Sequence, residues 1–432
     1  MDSIWRKNTP LPRFKRLDRG LKTEVLIIGG GLAGILCAWM LERQGMDYVL
    51  VEARRICSGV TGNTTAKITV QHGLIYDKLI RHAGKEKAAM YLEANRRALE
   101  QYRELGSVID CAMEERDAFV YTLDHPERIE REMQAYRLLG FPADLVRELP
   151  LPFSTQGAVR ISRQLQFDPL RFVQGIAPKL HIYEDTPVLE MLSPHLARTR
   201  EARITAQKII CTTHFPFINK HGGYFVRMYQ DRSYVLALEN AADVRGMYLD
   251  EADHGLSFRN AGGLLLLGGG GGRTGKKNGN WEELRRYAAR FYPQARETAC
   301  WAAQDCMTLD SVPYIGRYSR AASDFYVGTG FNKWGMTASM AAAMILTDLI
   351  CGRENDCAAV FTPQRSSLHL QLGANLLSSA AGFLSPAPRR CPHLGCALKW
   401  NAAERTWDCP CHGSRFDADG RMLDGPAQGN LP

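Results

Sequence analysis

The hydrophobic positions near the amino terminus predict a strand, a glycine-rich turn, a helix and a second strand. Residues 23–28 (TEVLII) are apolar and β-branched without a helical period, and the turn GGGLAG follows them. The next segment, ILCAWMLERQG, predicts a helix that ends at Gly45, and YVLVEA predicts another buried strand. This order within about 30 residues is typical of a βαβ unit in a parallel sheet.

The pattern changes several times farther along the chain. Residues 77–147 are charged and helix-prone, whereas the pattern at residues 224–239 and 263–268 is strand-like and suggests a separate sheet that covers a ligand. Residues 324–350 return to strand, glycine-rich turn and helix. A further predicted helix and a Pro/Ser linker then lead to a group of cysteines. We therefore predict an α/β protein with a Rossmann-like domain, an antiparallel-sheet domain and a small all-β module.

Charge and hydropathy narrow the functional classes. Residues 1–22 carry seven Lys or Arg against two Asp, and this basic N-terminal arm is interpreted as a solvated lead-in, or else as a contact for an acidic electron carrier. No other basic stripe is interleaved with aromatic residues, so we expect no nucleic acid partner. The apolar run at 340–346 is too short to cross a bilayer and no apolar leader precedes the first strand. A cytoplasmic protein without a transmembrane segment is expected.

The glycine turn fits G-x-G-x-x-G. Gly29 permits a tight turn, Gly31 lets the backbone approach a pyrophosphate, and Gly34 lets the helix pack on the strand. Glu52 closes the second strand, where a carboxylate accepts hydrogen bonds from ribose hydroxyls. The motif predicts a dinucleotide site, and its geometry alone leaves FAD and NAD open.

The cysteine group has the spacing of a metal site. The chain holds 12 cysteines, and Cys391-x-His393 is followed after 15 residues by Cys409-x-x-His412. Two loops that each offer one thiolate and one imidazole suit a [2Fe-2S] cluster with two Cys on one iron and two His on the other. A tetrahedral zinc site is the alternative, although zinc fingers usually group a Cys pair and a His pair.

The sequence CPHLGCALKW…WDCPCHGSRFDADG resembles that of the Rieske proteins of respiratory and photosynthetic cytochrome complexes. The resemblance implies that Cys391, His393, Cys409 and His412 bind the cluster and that Cys396 and Cys411 form a disulfide. It also implies that Ser414, two residues past a ligand, donates a hydrogen bond to a sulfur atom. A disulfide is unusual in the cytosol, which leaves two alternatives: the docked body of the chain buries and protects it, or it is open in vivo.

The Rieske module, residues 389–432, is shorter than the domains it resembles. The preceding segment, LLSSAAGFLSPAPRR, lacks the alternation of apolar and polar residues that would predict the usual strands before the first ligand loop. So small a module needs a metal or disulfide to fold. We therefore expect it to dock on the rest of the chain, with the tip formed by His393 and His412 near the flavin domain, or reaching it by a movement of the linker at 380–390.

The segments VLIIGGGLAG, EARRICSGVTGNTTAK, DTPVLEM and GTGFNKWGMT resemble the D-amino-acid-oxidase-like FAD-dependent oxidoreductases. The resemblance implies FAD, with Val188 at the adenine and a helix N-terminus at the flavin ring, where its partial positive charge stabilises the reduced anion. The predicted FAD-binding residues are Gly29, Gly31, Gly34, Glu52, Arg54, Thr61, Thr65, Lys67, Val188, Gly330, Gly335, Met336 and Thr337.

These resemblances divide the chain into four parts. A basic arm (1–22) precedes the oxidoreductase (23–365), and a helix and linker (366–388) connect it to the Rieske module (389–432). The FAD-binding segments of the oxidoreductase are expected at about 23–76, 155–215 and 305–352, and the substrate-domain segments at about 77–154 and 216–304.

The family resemblance implies oxidation of a C–N bond of an amine or amino acid. Arg232 and Tyr234 in QDRSYV are predicted to hold a substrate carboxylate, with Arg227 as the second choice. The alternative for either arginine is a surface or ion-paired residue of the sheet. Lys333 and Trp334 interrupt the turn where the flavin is expected, and a cation there favours the reduced ring. His72 is a further candidate near the same cavity, and Gln71 and His214 are weaker ones.

Electrons are expected to pass from FAD to the cluster and then to an external carrier, either ferredoxin-like or quinone-linked. An alternative is an electron-transfer or redox-sensing protein that has no small-molecule amine substrate. A third hypothesis is an ordinary oxidase that uses O₂ and in which the cluster is structural.

Overall fold

The computed structural model describes residues 2–218, 222–276, 280–365, 372–373, 375 and 382–432. Most of the predicted helix and linker at 366–388 lies outside the described residues. No helix in the described ranges is long and apolar enough to span a membrane.

The helices and strands follow in chain order. The helices are α1 (Ile4–Asn8), α2 (Leu32–Arg43), α3 (Ile75–Ala83), α4 (Lys85–Gly106), α5 (Pro126–Leu139), α6 (Pro169–Ile176), α7 (Tyr224–Arg227), α8 (Trp281–Phe291), α9 (Gly335–Ile350) and α10 (Ala358–Phe361). The strands are β1 (Leu21–Ile28), β2 (Tyr48–Val51), β3 (Lys67–Ile68), β4 (Glu114–Thr122), β5 (Asp144–Val146), β6 (Gly157–Gln166), β7 (Ile182–Tyr183), β8 (Glu190–Ser193), β9 (Leu196–Arg198), β10 (Arg203–Cys211), β11 (Met228–Glu239), β12 (Met247–Asp250), β13 (Ser257–Ala261), β14 (Leu264–Arg273), β15 (Arg296–Thr308), β16 (Tyr314–Ser319), β17 (Ala322–Thr329), β18 (Lys399–Asn401), β19 (Thr406–Asp408), β20 (Arg415–Phe416) and β21 (Met422–Asp424).

The first sheet is the predicted Rossmann-like sheet, and its strand order is β16-β17-β10-β1-β2-β7 with β8 and β9 attached at β10. Strand β1 pairs in parallel with both β2 and β10. Its residues 25–28 are buried, which explains why the strand is continuously apolar and not alternating. Helix α2 packs against α9, so the two glycine-rich turns that precede these helices lie on the same side of the sheet.

The second sheet has the order β15-β11-β14-β13-β12-β4-β6-β3, with β5 paired to β6. Its strands β11, β14 and β15 are antiparallel, as the alternating pattern predicts. The predicted strand over 224–239 is wrong at its start, because residues 224–227 form the short helix α7. A third sheet, β18-β19-β20-β21, forms the core of the C-terminal module, and all four strands follow the first ligand loop.

The helix-prone interpretation of residues 77–147 needs a correction. Helices α3, α4 and α5 occupy much of it, but strand β4 runs through the middle and pairs with β6 and β12. Residues 114–117 of β4 are partly exposed and charged, so the strand lacks an uninterrupted apolar run. Pairing between distant strands outweighed the local helix propensity there.

The basic N-terminal arm packs on the protein and is not a solvated lead-in. The Trp5 side chain is 5% exposed, and its indole N–H donates to the carbonyl of Thr64 at 2.7 Å. Farther along, the backbone N–H of Leu17 donates to the Thr186 hydroxyl at 3.1 Å. The arm therefore braces the loop between β2 and β3, which borders the predicted flavin site.

Glu132 on α5 is buried and caps the start of a neighbouring helix. Its carboxylate accepts the backbone N–H groups of Tyr76 at 2.9 Å and Asp77 at 2.8 Å. Burial raises the pKa of Glu132 to about 7, although both N–H groups act in the opposite direction. The folded protein therefore binds a proton here between about pH 4.5 and 7 that the unfolded chain does not.

We expect Glu132 to make the protein less stable as the pH rises through this window, by up to about 1.4 kcal/mol per pH unit. Urea unfolding midpoints at pH 5, 6 and 7 should fall more steeply for the wild type than for Glu132→Gln. Glu130→Gln, at an exposed position on the same helix, serves as the control. Equal pH slopes for the wild type and Glu132→Gln would contradict this prediction.

Candidate flavin and cluster sites

The glycine turn between β1 and α2 has the geometry that its motif predicts. Gly29 has a φ of +112°, and a Cβ on Gly34 would lie 1.9 Å from the Gly29 carbonyl oxygen. Helix α2 begins directly after Gly31, so its free N–H groups face the turn. This cradle suits the pyrophosphate of a dinucleotide.

Glu52 stands at the end of β2 beside this turn. One of its carboxylate oxygens accepts the Gly30 N–H at 2.7 Å and the other accepts the Arg54 N–H at 2.9 Å. Burial raises the pKa of this carboxyl group, and the two N–H groups counteract the effect. The carboxylate is thus positioned by the backbone and faces the cavity where a ribose is expected.

A cavity of about 670 Å³ runs from this turn toward the second sheet. Nine of the predicted FAD-binding residues line it: Gly29, Gly31, Glu52, Arg54, Thr61, Val188, Gly330, Gly335 and Met336. The first residues of α9 are among them, so a helix N-terminus opens onto the cavity. The cavity's extent and its donors fit a bound FAD.

Four predicted FAD-binding residues are not among the described residues that line the cavity: Gly34, Thr65, Lys67 and Thr337. Gly34 lets α2 pack on the turn, and the Thr337 hydroxyl bonds the backbone of Thr69. The Lys67 ammonium donates to the Tyr248 carbonyl at 3.0 Å, and the Thr65 carbonyl accepts from a buried arginine. Their contacts support the wall, and their roles toward FAD remain predictions.

The predicted residues around the second turn are also engaged with the protein. The Lys333 ammonium lies 2.9 Å from an Asp231 carboxylate oxygen on β11. The Trp334 ring stacks on the His72 ring with centroids 4.8 Å apart, and a His72 ring nitrogen lies 2.6 Å from the Tyr91 hydroxyl. Burial lowers the pKa of His72 to about 3, so this imidazole is neutral at ordinary pH.

The predicted carboxylate ligands contact the C-terminal module. Arg232 is 6% exposed and forms a two-point ion pair with Glu404, and the Tyr234 hydroxyl donates to the same carboxylate at 3.1 Å. A substrate carboxylate would have to displace Glu404 to reach this guanidinium. The second choice, Arg227, donates to the Pro363 carbonyl and lies over the Tyr314 ring.

The four predicted cluster ligands come together in the C-terminal module. Cys391 and Cys409 are buried, and the rings of His393 and His412 have centroids 5.0 Å apart. Neither ring nitrogen of His412 has a hydrogen-bond partner within the described part of the chain. Since buried polar atoms are normally paired, these nitrogens fit a metal ligand.

A disulfide joins Cys396 and Cys411, as the Rieske resemblance implied. The sulfur atoms of this pair and of Cys409 lie within 4.8 Å of one another. The disulfide therefore ties the two ligand loops together beside the cluster position. The site fits two thiolates and two imidazoles from separate loops, which is the donor set of a Rieske cluster.

The module docks on the oxidoreductase through its second ligand loop. Gln230 on β11 donates to the His412 carbonyl at 3.1 Å, and Gln304 on β15 donates to the Gly413 carbonyl at 2.8 Å. The His412 ring lies between Phe215 and Phe225, with centroid distances of 6.2 and 6.1 Å. Phe215 also lines the cavity, so the expected closeness of the cluster tip to the flavin domain is confirmed for His412.

Two glycines allow this close approach. A Cβ on Gly413 would lie 2.6 Å from the Gln230 Cβ, and a Cβ on Gly275 would lie 2.6 Å from the Pro410 nitrogen. Both glycines have a positive φ, which other residues rarely adopt. The docked position of the module thus depends on one glycine in the Rieske module and one in the oxidoreductase part of the chain.

Sequence reasoning missed several residues of the site. Asp305 on β15 lines the cavity near Cys306 and lies opposite Asp231 in the strand register. The polar pair Gln304-Asp305 interrupts the otherwise apolar strand CWAAQDCMT, and this interruption indicates a functional site in the sequence. The contribution of Met422 and residues 424–430 to the cavity had no comparable indication.

Family models match both parts of the chain. The model described as FAD dependent oxidoreductase matches residues 24–349, and the model described as Rieske [2Fe-2S] domain matches residues 378–432. The putative Rieske 2Fe-2S iron-sulfur protein YhfW of Bacillus subtilis is 35% identical over 99% of this chain and 96% of its own length. The cytochrome b6-f complex iron-sulfur subunit 1 of Nostoc sp. is 56% identical over 41 residues, which are 10% of this chain and 23% of that subunit.

Solved structures share the fold of the oxidoreductase part. The L-proline dehydrogenase from P. horikoshii and the glycine oxidase from Geobacillus kaustophilus each match with a TM-score of 0.67 and 18% identity. Each match covers 80% of this chain, and 98% and 99% of the two enzymes respectively. The L-amino acid deaminase from Proteus vulgaris matches with a TM-score of 0.63 and 14% identity over 83% of this chain and 99% of the deaminase.

Proposed function

The chain belongs to the family of FAD-dependent oxidoreductases and carries a C-terminal Rieske [2Fe-2S] domain, and from this we propose that it oxidises an amine or amino acid and delivers the electrons to its own cluster. Both cofactors follow from the family. The substrate class and the internal transfer of electrons are the proposal.

The observation that carries the proposal is the position of His412. This predicted cluster ligand is 2% exposed and packs on Phe215, which also lines the flavin cavity. Gln230 adds a polar connection, because its side chain bonds both the His412 carbonyl and the His214 ring at 3.0 Å, and His214 lines the cavity as well. One residue layer therefore separates the two cofactor sites.

The flavin end of the cavity supports a substrate with an amino group. Asp305 and Asp231 are neighbours across the two strands, and Lys333 pairs with Asp231, which leaves the Asp305 carboxylate for a cationic ligand. Burial raises the pKa of Asp305, while Lys333 and His214 act in the opposite direction. When ionised, the Asp305 carboxylate can bind an ammonium group, and its raised pKa makes it a better proton acceptor than an ordinary Asp.

A bound FAD would take a hydride from the carbon next to the amine nitrogen, and loss of a proton from that nitrogen would leave a C=N bond; a Rieske cluster would supply a one-electron acceptor. The protein's part is to hold the amine at Asp305 and to exclude water with the second sheet. It also fixes the cluster against Phe215. An external one-electron carrier completes the cycle.

The test is anaerobic rapid mixing of the holoprotein with a panel of amines and amino acids. The flavin absorbance should bleach first. The paramagnetic signal of the reduced cluster should then rise, and the electrons gained by the cluster should equal those lost by the reduced flavin. Photoreduction of the flavin without substrate provides the control. If photoreduced flavin leaves the cluster oxidised, internal transfer is wrong.

The two halves of the proposal can fail separately. If light reduces flavin and cluster but no amine does, the amine substrate is wrong and the electron-transfer or redox-sensing alternative stands. Fast formation of peroxide that continues after removal of the cluster would instead support the oxidase hypothesis.

A further inference from the structure

Part of the cavity wall belongs to the Rieske module. Met422 and residues 424–430 line the same cavity as the glycine turn, the end of β2 and the start of α9. We call residues 422–430 the outer wall. It closes the dinucleotide cavity on the side where the module docks, opposite the Rossmann-like sheet.

The outer wall contacts the oxidoreductase beside the end of β2. The Arg54 guanidinium donates to the Leu423 carbonyl at 2.5 Å, and both Arg54 and Glu52 line the cavity. The wall therefore meets the oxidoreductase next to the carboxylate expected at the ribose.

Hydrogen bonds within the Rieske module hold the ends of the outer wall together. The Met422 N–H donates to the Asn430 side chain at 3.0 Å, and the Leu431 N–H donates to the Gly420 carbonyl at 2.8 Å. These two bonds tie the ends of the segment together. The wall is therefore a closed loop held by its own module.

Ser414 connects the outer wall to the cluster ligands. Its hydroxyl accepts the Ala427 N–H at 3.1 Å, and its carbonyl accepts the N–H of the ligand Cys409 at 2.8 Å. Gly425 packs directly on this residue, since a Cβ there would lie 2.5 Å from the Ser414 Cα. A shift of the ligand loop therefore shifts the wall.

We propose that the outer wall is a part of the FAD-binding site supplied by the Rieske module, and that Ser414 couples it to the cluster, so that FAD and cluster hold each other in place. Coupling of two binding sites is reciprocal: whatever the cluster adds to FAD affinity, FAD adds to cluster retention. Loss of either cofactor then weakens the binding of the other without any redox step.

The first test measures release of FAD from the diluted holoprotein through the fluorescence of free FAD. Gly425→Val places a side chain against Ser414 and should speed FAD release about 10-fold or more, and Ser414→Ala should do so more weakly. Gly373→Ala, where a Cβ would meet no atom of the described residues within 4 Å, is the control and should leave the rate unchanged. If Gly425→Val and Ser414→Ala both keep the cluster spectrum and release FAD at the wild-type rate, the proposal is overturned.

The second test needs no variant. Protein stripped of FAD should lose the visible circular dichroism of its cluster at a lower temperature than the holoprotein, and added FAD should restore the midpoint. An unchanged midpoint would overturn the coupling even if the variants fold poorly. Both readouts concern binding alone, so they are independent of whether the flavin oxidises an amine.

Discussion

Glu404→Gln is expected to cost about 3–5 kcal/mol in the free energy that holds the Rieske module on the oxidoreductase. The Glu404 carboxylate lies between two buried guanidinium groups, those of Arg232 and Arg415, and the Arg415 contact is 2.9 Å. Burial on its own would raise the pKa of Glu404, but the two arginines outweigh it and the pKa lies below the ordinary value. Removing one partner of a buried ion pair leaves the other charge uncompensated, which is the source of the large cost.

The measurement is the temperature at which the cluster's visible circular dichroism is lost, and the midpoint should fall by roughly 5–10 °C. Glu190→Gln is the matched control, because Glu190 pairs with Arg198 at 2.7 Å on an exposed surface, where an ion pair contributes about 0–1 kcal/mol. Replacing Arg232 and Glu404 together by Met and Leu should recover part of the loss. Equal midpoints for Glu404→Gln and Glu190→Gln would contradict this account of docking.

Asp305→Asn is expected to raise the half-saturating concentration of the amine in the anaerobic flavin-reduction assay by about 10- to 100-fold. The amide keeps the shape of the carboxylate but loses its charge, and a hydrogen bond to a charged group is worth about 1.5–3 kcal/mol. The prediction rests on the proposed substrate class. The assay uses the amine or amino acid from the panel that reduces the flavin fastest.

Two comparisons make this result specific. Glu297→Gln removes a carboxylate from the same strand but at its exposed end, and it should leave the half-saturating concentration unchanged. Photoreduction of the flavin and reduction of the cluster should also be normal in Asp305→Asn. An unaltered amine dependence in Asp305→Asn would show that another group binds the amine.

The parts of the site that were predictable from the sequence are those whose chemistry is local. The turn from Gly29 to Gly34 needs particular residues at fixed spacing because the backbone itself makes the cradle, and the four cluster ligands sit in two short loops. Such motifs carry their geometry within a few residues. A dinucleotide site and a metal site therefore followed from short stretches of the chain, whereas the choice of FAD over NAD came from the resemblance of several separate segments to a family.

The contacts between the two parts could not be predicted in the same way. Arg232 is as suitable for a substrate carboxylate as for Glu404, and no local pattern indicates that the acidic partner comes from the C-terminal module. The basic arm was misinterpreted for a similar reason, since the burial of Trp5 depends on a loop some sixty residues away. Such pairings are decided by the three-dimensional arrangement of the sheets.

The Rossmann-like sheet has a consequence for how the chain folds. Strand β1 pairs with β2 nearby, but its other neighbour, β10, begins at residue 203, and β10 in turn needs β17, which begins at residue 322. Closing such long loops costs entropy before the strands stabilise each other, and proteins dominated by distant contacts fold slowly. One edge of β1 therefore stays unpaired until β10 has been synthesised, and one edge of β10 until β17 has been synthesised, and unpaired strand edges of this kind expose the chain to aggregation during folding.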